Sequence, residues 1–157
     1  MKNLKKILLV AVVFISVLLL TGCGNKEPIT ANDFYNRMKG ENFVLTDATS
    51  QFSNYNYIKK AYVAQSPDLK YQIEFYEISD EENAKKFFNN NKQIFETSLG
   101  TVVKGKLDLN TTKVSKYRAI SSGHYMALTR INNTVLFARL PENYSKPASS
   151  IIKKLGY

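Results

Sequence analysis

This chain has no tryptophan, one cysteine (Cys23) and one histidine (His124) in 157 residues. A lone Cys rules out an intramolecular disulfide, even along an export route that would permit one. One His and one thiol cannot supply the N and S ligands of a zinc site, and neither a metal nor another cofactor is expected. Acids are also scarce, 13 against 22 Lys and Arg, which sets the formal charge at +9. The lysines are dispersed, at Lys59-Lys60, Lys104 and Lys106, Lys113 and Lys116, and Lys153-Lys154. A nucleic-acid surface should show a denser basic stripe with interleaved aromatics, so nucleic acid is not the expected partner.

Long apolar runs are missing but for one, Ile7 to Leu20, which follows Lys2, Lys5 and Lys6. Its 14 residues would reach only about 21 Å as a helix, short of the roughly 30 Å core of a bilayer. Length and positive flank match a signal-peptide core. The run closes on Leu20-Thr21-Gly22-Cys23, which resembles the lipobox of bacterial lipoproteins. The resemblance implies that the Cys23 thiol carries diacylglycerol and that a peptidase cuts between Gly22 and Cys23. It places the mature chain on the outer face of the bacterial cytoplasmic membrane. Two acyl chains suffice for stable attachment, and lipidation consumes the only thiol, which excludes Cys catalysis. Residues 1–22 are then a signal peptide, 23–28 the lipidated Cys and a tether, and 29–157 a single domain. Loss of Lys2, Lys5 and Lys6 lowers the charge from +9 to +6. The whole chain resembles small Gram-positive lipoproteins, with the specific match confined to the signal and lipobox, about the first 23 residues.

Several familiar chemistries are approached and missed. Gly100 to Leu107, "GTVVKGKL", nearly fits a phosphate-binding loop but ends on Leu107, where Mg²⁺ needs a Ser or Thr hydroxyl. The stretch from Asp108 mimics a calcium loop, yet Lys113 stands where Gly is required and Ala119 where the bidentate Glu belongs. Ser121, Ser122 and His124 share one tight turn with no carboxylate nominated to orient the base. Asp80, Glu81 and Glu82 mark a helix start, where the dipole accounts for them. Asp47, Glu74 and Glu77 lie in or near predicted strands, which leaves open a hydrolase with paired carboxylates.

Periodicity predicts a helix from Thr30, with Thr30 and Asp33 as a capping box, Ile29 stapled to Phe34, and Gly40 at its end. A short strand, "NFVLTDA", precedes a hairpin of "KAYVAQ" and "KYQIEFYEI". A three-residue loop at Pro67 to Leu69 would set Val63 opposite Ile73 and Ala61 opposite Phe75. A second helix starts with Ser79 and Glu82 as capping box, burying Ala84, Phe87, Phe88, Ile94 and Phe95. Residues 98–112 read as a loop with room for a short strand. Three strands follow, turning at Ser122-Gly123 and Asn132-Asn133, before a last helix from about Glu142 to Leu155. The expected class is α+β, a single antiparallel sheet covered on one face by two or three helices. Its order suggests two αβββ units.

Those two turns place Ala119 against Met126, Tyr117 against Leu128, and Leu128 against Phe137. The opposite set, Lys116, Arg118, Ile120, Tyr125, Thr129, Leu136 and Leu140, mixes cations with an aromatic and aliphatics, as interaction surfaces do. Arg118, Tyr125, Lys116 and Leu136 are therefore the candidate binding residues. The expected function is a non-enzymatic, lipid-anchored monomer that binds a protein, peptide or wall component. A carboxylate hydrolase of the cell envelope and an electrostatic binder of anionic wall polymer or DNA are the alternatives.

Overall fold

The computed structural model describes residues 27–157. Gly22, Cys23 and the predicted signal peptide lie outside the described residues. Helix α1 (Ala31–Gly40) opens on the expected capping box, in which the Thr30 hydroxyl accepts from the Asp33 N–H and Asp33 accepts from the Thr30 N–H. Ile29 and Phe34 are buried in one cluster, as a staple requires. Gly40 is the last helical residue, and the left-handed position falls instead on Asn42 at φ 63°.

Seven strands follow, interrupted by one helix: β1 (Val44–Asp47), β2 (Ile58–Gln65), β3 (Gln72–Ile78), α2 (Glu81–Thr97), β4 (Val103–Asn110), β5 (Val114–Ser121), β6 (His124–Ile131) and β7 (Thr134–Pro141). Helix α3 (Ser145–Lys154) closes the chain after a single 3₁₀ turn, Glu142–Tyr144. All strands pair antiparallel in one sheet, in the order β1-β2-β3-β7-β6-β5-β4. The protein is α+β with one antiparallel sheet.

The helices do not gather on one face. Alternate residues of β6 fall into different cores: Tyr125, Ala127 and Ile131 join Phe34 and Met38 of α1 and Ile151 and Ile152 of α3, while Met126 and Leu128 join Phe88 and Phe95 of α2. Side chains alternate along a strand, so α1 and α3 cover one face and α2 the other. The one-face expectation assumed a half-solvated antiparallel sheet. The central strands are apolar on both sides, as in "YMAL" of β6, and demand cover on both.

Two αβββ units also give way. The second half holds four strands, and the halves meet through antiparallel β3 and β7. Two equal units joined that way are related by a two-fold axis normal to the sheet, which would leave both lead helices on one face. Here α1 and α2 lie on opposite faces.

The β5–β6–β7 register matches the reading from its turns, with Ala119 opposite Met126, Tyr117 opposite Leu128, and Leu128 opposite Phe137. Ser122 and Gly123 both take positive φ, the geometry a two-residue hairpin needs. The β2–β3 hairpin is slipped by one residue, pairing Ala64 with Ile73 and Tyr62 with Phe75. Its loop runs from Pro67 to Lys70, because the Ser66 N–H still pairs with the Tyr71 carbonyl and the Ser66 hydroxyl accepts the Lys70 and Tyr71 N–H groups. A one-residue slip turns every side chain over, which sends Ala61 to the α2 side.

Arg130 is fully buried on the α2 face. Its guanidinium donates to the carbonyls of Thr111, Thr112 and Asn132 and to the Ser115 hydroxyl. A buried charge must be hydrogen-bonded to survive desolvation, and here it clamps the β4–β5 turn to the β6–β7 turn.

Candidate functional site

Widths decide what stays open. Seven strands about 4.8 Å apart span roughly 29 Å, whereas two helices about 10 Å wide cover roughly 20 Å. On the first face α1 packs over β1, β2 and β3 at one side of the sheet, α3 lies between it and the other side, and the flank formed by β4 and β5 stays open beside α3. A groove runs there beside α3. Its α3 wall carries Lys146, Ser149 and Lys153, and its sheet wall carries Lys116, Arg118 and Ile120. The half nearer Lys146 encloses about 420 Å³.

Four cations thus line the groove, and no Asp or Glu stands among its lining residues. The cleft between α1 and α3 differs, since Glu41 there pairs with Lys154 at 2.8 Å. At the far end of the groove is Tyr157, whose hydroxyl shares a hydrogen bond with Thr134. Burial pushes the Tyr157 phenol above its ordinary pKa, so the hydroxyl stays protonated.

Strand β4 shapes the open side. It is exposed along its whole length, with Gly105 at φ 57° where pairing with β5 shifts by one residue. That bulge resets the alternation, so Lys104 opposite Ile120 and Leu107 opposite Arg118 share the groove face. Leu107 is 39% exposed and Leu109 44%. The outer lip is apolar as well as cationic.

Of the residues singled out from sequence, Arg118 is exposed and Lys116 half-buried, and both line the groove. Tyr125 and Leu136 are corrected: both are core residues, 4% and 0% exposed, packed in the cluster of α1 and α3. Tyr125 still forms part of the groove floor. Missed at the sequence level were Lys146, Ser149 and Lys153. Their i, i+3, i+7 spacing put them on one helix stripe, a signal that was present.

The three strand acids are not brought together. Asp47 pairs with Lys60 at 2.6 Å, and Glu77 accepts from the Ala31 N–H at the start of α1. Glu74 points to the α2 face, where it accepts from the Tyr76 hydroxyl. His124 is exposed, with Nδ1 2.9 Å from the Ser122 carbonyl, and the Ser121 hydroxyl is tied to Gly100 and Val102. The Gly100–Leu107 stretch runs from Val103 onward into edge strand β4, and Asp108 pairs with Lys92 at 2.5 Å. Among the described residues no helix is long and apolar enough to cross a membrane. The chain matches no family model, no curated protein and no solved structure.

Proposed function

We propose that this chain is a lipid-anchored, non-enzymatic binding domain on the outer face of a bacterial cytoplasmic membrane, whose groove beside α3 holds an anionic wall polymer. One observation carries the ligand class: Lys116, Arg118, Lys146 and Lys153 line the groove, and no Asp or Glu side chain lines it. Clefts walled by one sign of charge focus the field and concentrate counter-charged ligands. A groove open along its length suits a chain better than a compact metabolite. The lipobox resemblance supplies the setting, and a tether of five or six residues, about 20 Å at most, keeps the domain against the envelope.

The test is binding of inorganic polyphosphate, a simple polyanion, with neutral dextran as control. Arg118→Ala combined with Lys153→Ala removes one exposed cation from each wall. Affinity should fall about tenfold, and the slope of log K against log salt should become shallower as counterion release is lost. Tyr125 is left intact, because truncating a core residue would report on stability. Polyphosphate that binds the double variant as tightly as the wild type would overturn the reading.

A further inference from the structure

The second opening in the fold lies on the other face of the sheet. A single helix, α2, covers less than half of that face, and residues 48–57 fold back over β2 and β3 to complete it. Between the two is a cleft of about 250 Å³ lined by Phe52, Tyr55, Tyr57, Tyr76 and Phe87, with Asn90 and Asn91 of α2 at its edge. The rings form a continuous wall. Phe52 meets Tyr76 edge-on, with centroids 5.4 Å apart and planes at 89°, and Tyr76 lies 4.8 Å from Phe87. Tyr55 extends the wall outward against Phe52 and Tyr57 yet remains 51% exposed.

We infer that this aromatic cleft is a binding site for a neutral saccharide ring. The lining contains no charged side chain, so nothing in it would offset the desolvation of an ionic ligand. Glu74, the carboxylate beside Tyr76, does not line the cleft and is engaged by the Tyr76 hydroxyl and the Gln72 amide. The ligand must instead present an apolar face and a polar edge. A pyranose does both: its axial C–H bonds meet the negative face of an aromatic ring, and its hydroxyls exchange hydrogen bonds with carboxamides. The Asn91 amide nitrogen is committed to the Phe87 carbonyl at 2.8 Å, which leaves its oxygen as an acceptor. Asn90 is exposed at the same rim. An acyl chain would leave both amides unused. The volume is below the roughly 300–1,000 Å³ of pockets for drug-sized ligands, which suits one ring of a longer glycan. This inference stands apart from the cationic groove, since the two openings lie on opposite faces and share no residue.

The experiment uses the full chain purified in a polyoxyethylene detergent, which carries neither sugar nor ammonium. Titration calorimetry with cellotriose, maltotriose and chitotriose provides three neutral probes, and choline chloride tests the competing ligand of aromatic cages. At least one trisaccharide should bind. Tyr55→Ala should weaken that binding about tenfold and Tyr55→Phe by less than about threefold, because the ring face supplies the contact. Asn90→Ala, at an exposed position, should weaken it several-fold with the unfolding midpoint unchanged. Three outcomes overturn the inference: no heat from any trisaccharide at about 10 mM, well above a millimolar Kd; binding undiminished in Tyr55→Ala; or choline bound in preference to the sugars.

Discussion

At the level of single residues, the start of α2 shows how one acceptor sets both a boundary and a pH response. Ser79 with Glu82 has the form of a capping box, yet the cap is Asp80. Its carboxylate takes the Asn83 N–H at 2.8 Å, the Ser79 hydroxyl at 2.7 Å and the Asn83 side-chain amide at 2.7 Å. A charged acceptor binds these donors more strongly than a hydroxyl would, so the helix begins one residue late. The Asn83 backbone bond, with those from the Ser79 and Asn83 side chains, holds the Asp80 pKa at about 2. Asp47 is held at about 2 as well, first by Lys60 and then by Thr49. An unfolded Asp titrates near 3.9, so both folded values are depressed. Their stabilisation is complete above about pH 4 and disappears as pH falls through about 2. The thermal midpoint of the wild type should therefore drop between pH 5 and pH 2. Asp47→Asn with Asp80→Asn keeps neutral acceptors at both positions and should drop less over the same interval. Equal losses would assign the acid sensitivity to other carboxylates.

At the level of elements, α2 is held by its stripe. Ala84, Phe88 and Phe95 are buried as the periodicity predicts, while Phe87 is half-buried at the aromatic cleft and Ile94 is 57% exposed. Phe88→Ala should cost about 3–5 kcal/mol in urea unfolding, because the ring leaves a cavity in a packed core. Ile94→Ala should cost far less, and a comparable loss would mean that the helix face is misassigned. How much of each element was legible follows from where its determinants lie. Strands β5 to β7 were readable in register because two-residue turns leave no freedom at Ser122-Gly123 and Asn132-Asn133. The β2–β3 loop allowed two lengths, and side-chain bonds from Ser66, invisible in a pattern of apolar residues, chose the longer. Strand β4 alternates at Val103, Leu107 and Leu109, but its Gly-Lys content imitates a loop and its bulge at Gly105 breaks the phase. The groove was half legible. Lys116 and Arg118 could be assigned to one face, but that α3 would cover Tyr125 and leave them open depends on tertiary packing. The aromatic cleft, drawn from a loop, a strand and a helix, had no local signature.

At the level of the whole molecule, the proposed location rests on a chemistry that the folded domain does not supply. Among its described residues no helix could cross a bilayer, and the charge of +6 that cleavage before Cys23 would leave, once Lys2, Lys5 and Lys6 are lost, would give only a salt-sensitive attraction to anionic headgroups. A single acyl chain binds marginally and reversibly, whereas the two of a diacylglycerol suffice for stable attachment. The lipobox reading puts that requirement on Cys23, the only thiol in the chain. If the peptidase acts only on lipidated Cys, then modification, cleavage and retention at the membrane are linked, and one substitution should abolish all three. Cys23→Ser should leave a precursor still carrying residues 1–22, heavier on a gel than the mature wild type despite lacking lipid. A radioactive fatty acid supplied to growing cells should label the wild type and leave the variant unlabelled. An unlabelled wild type, or one cut elsewhere, would detach the domain from the membrane and leave its groove and cleft to be explained in another compartment.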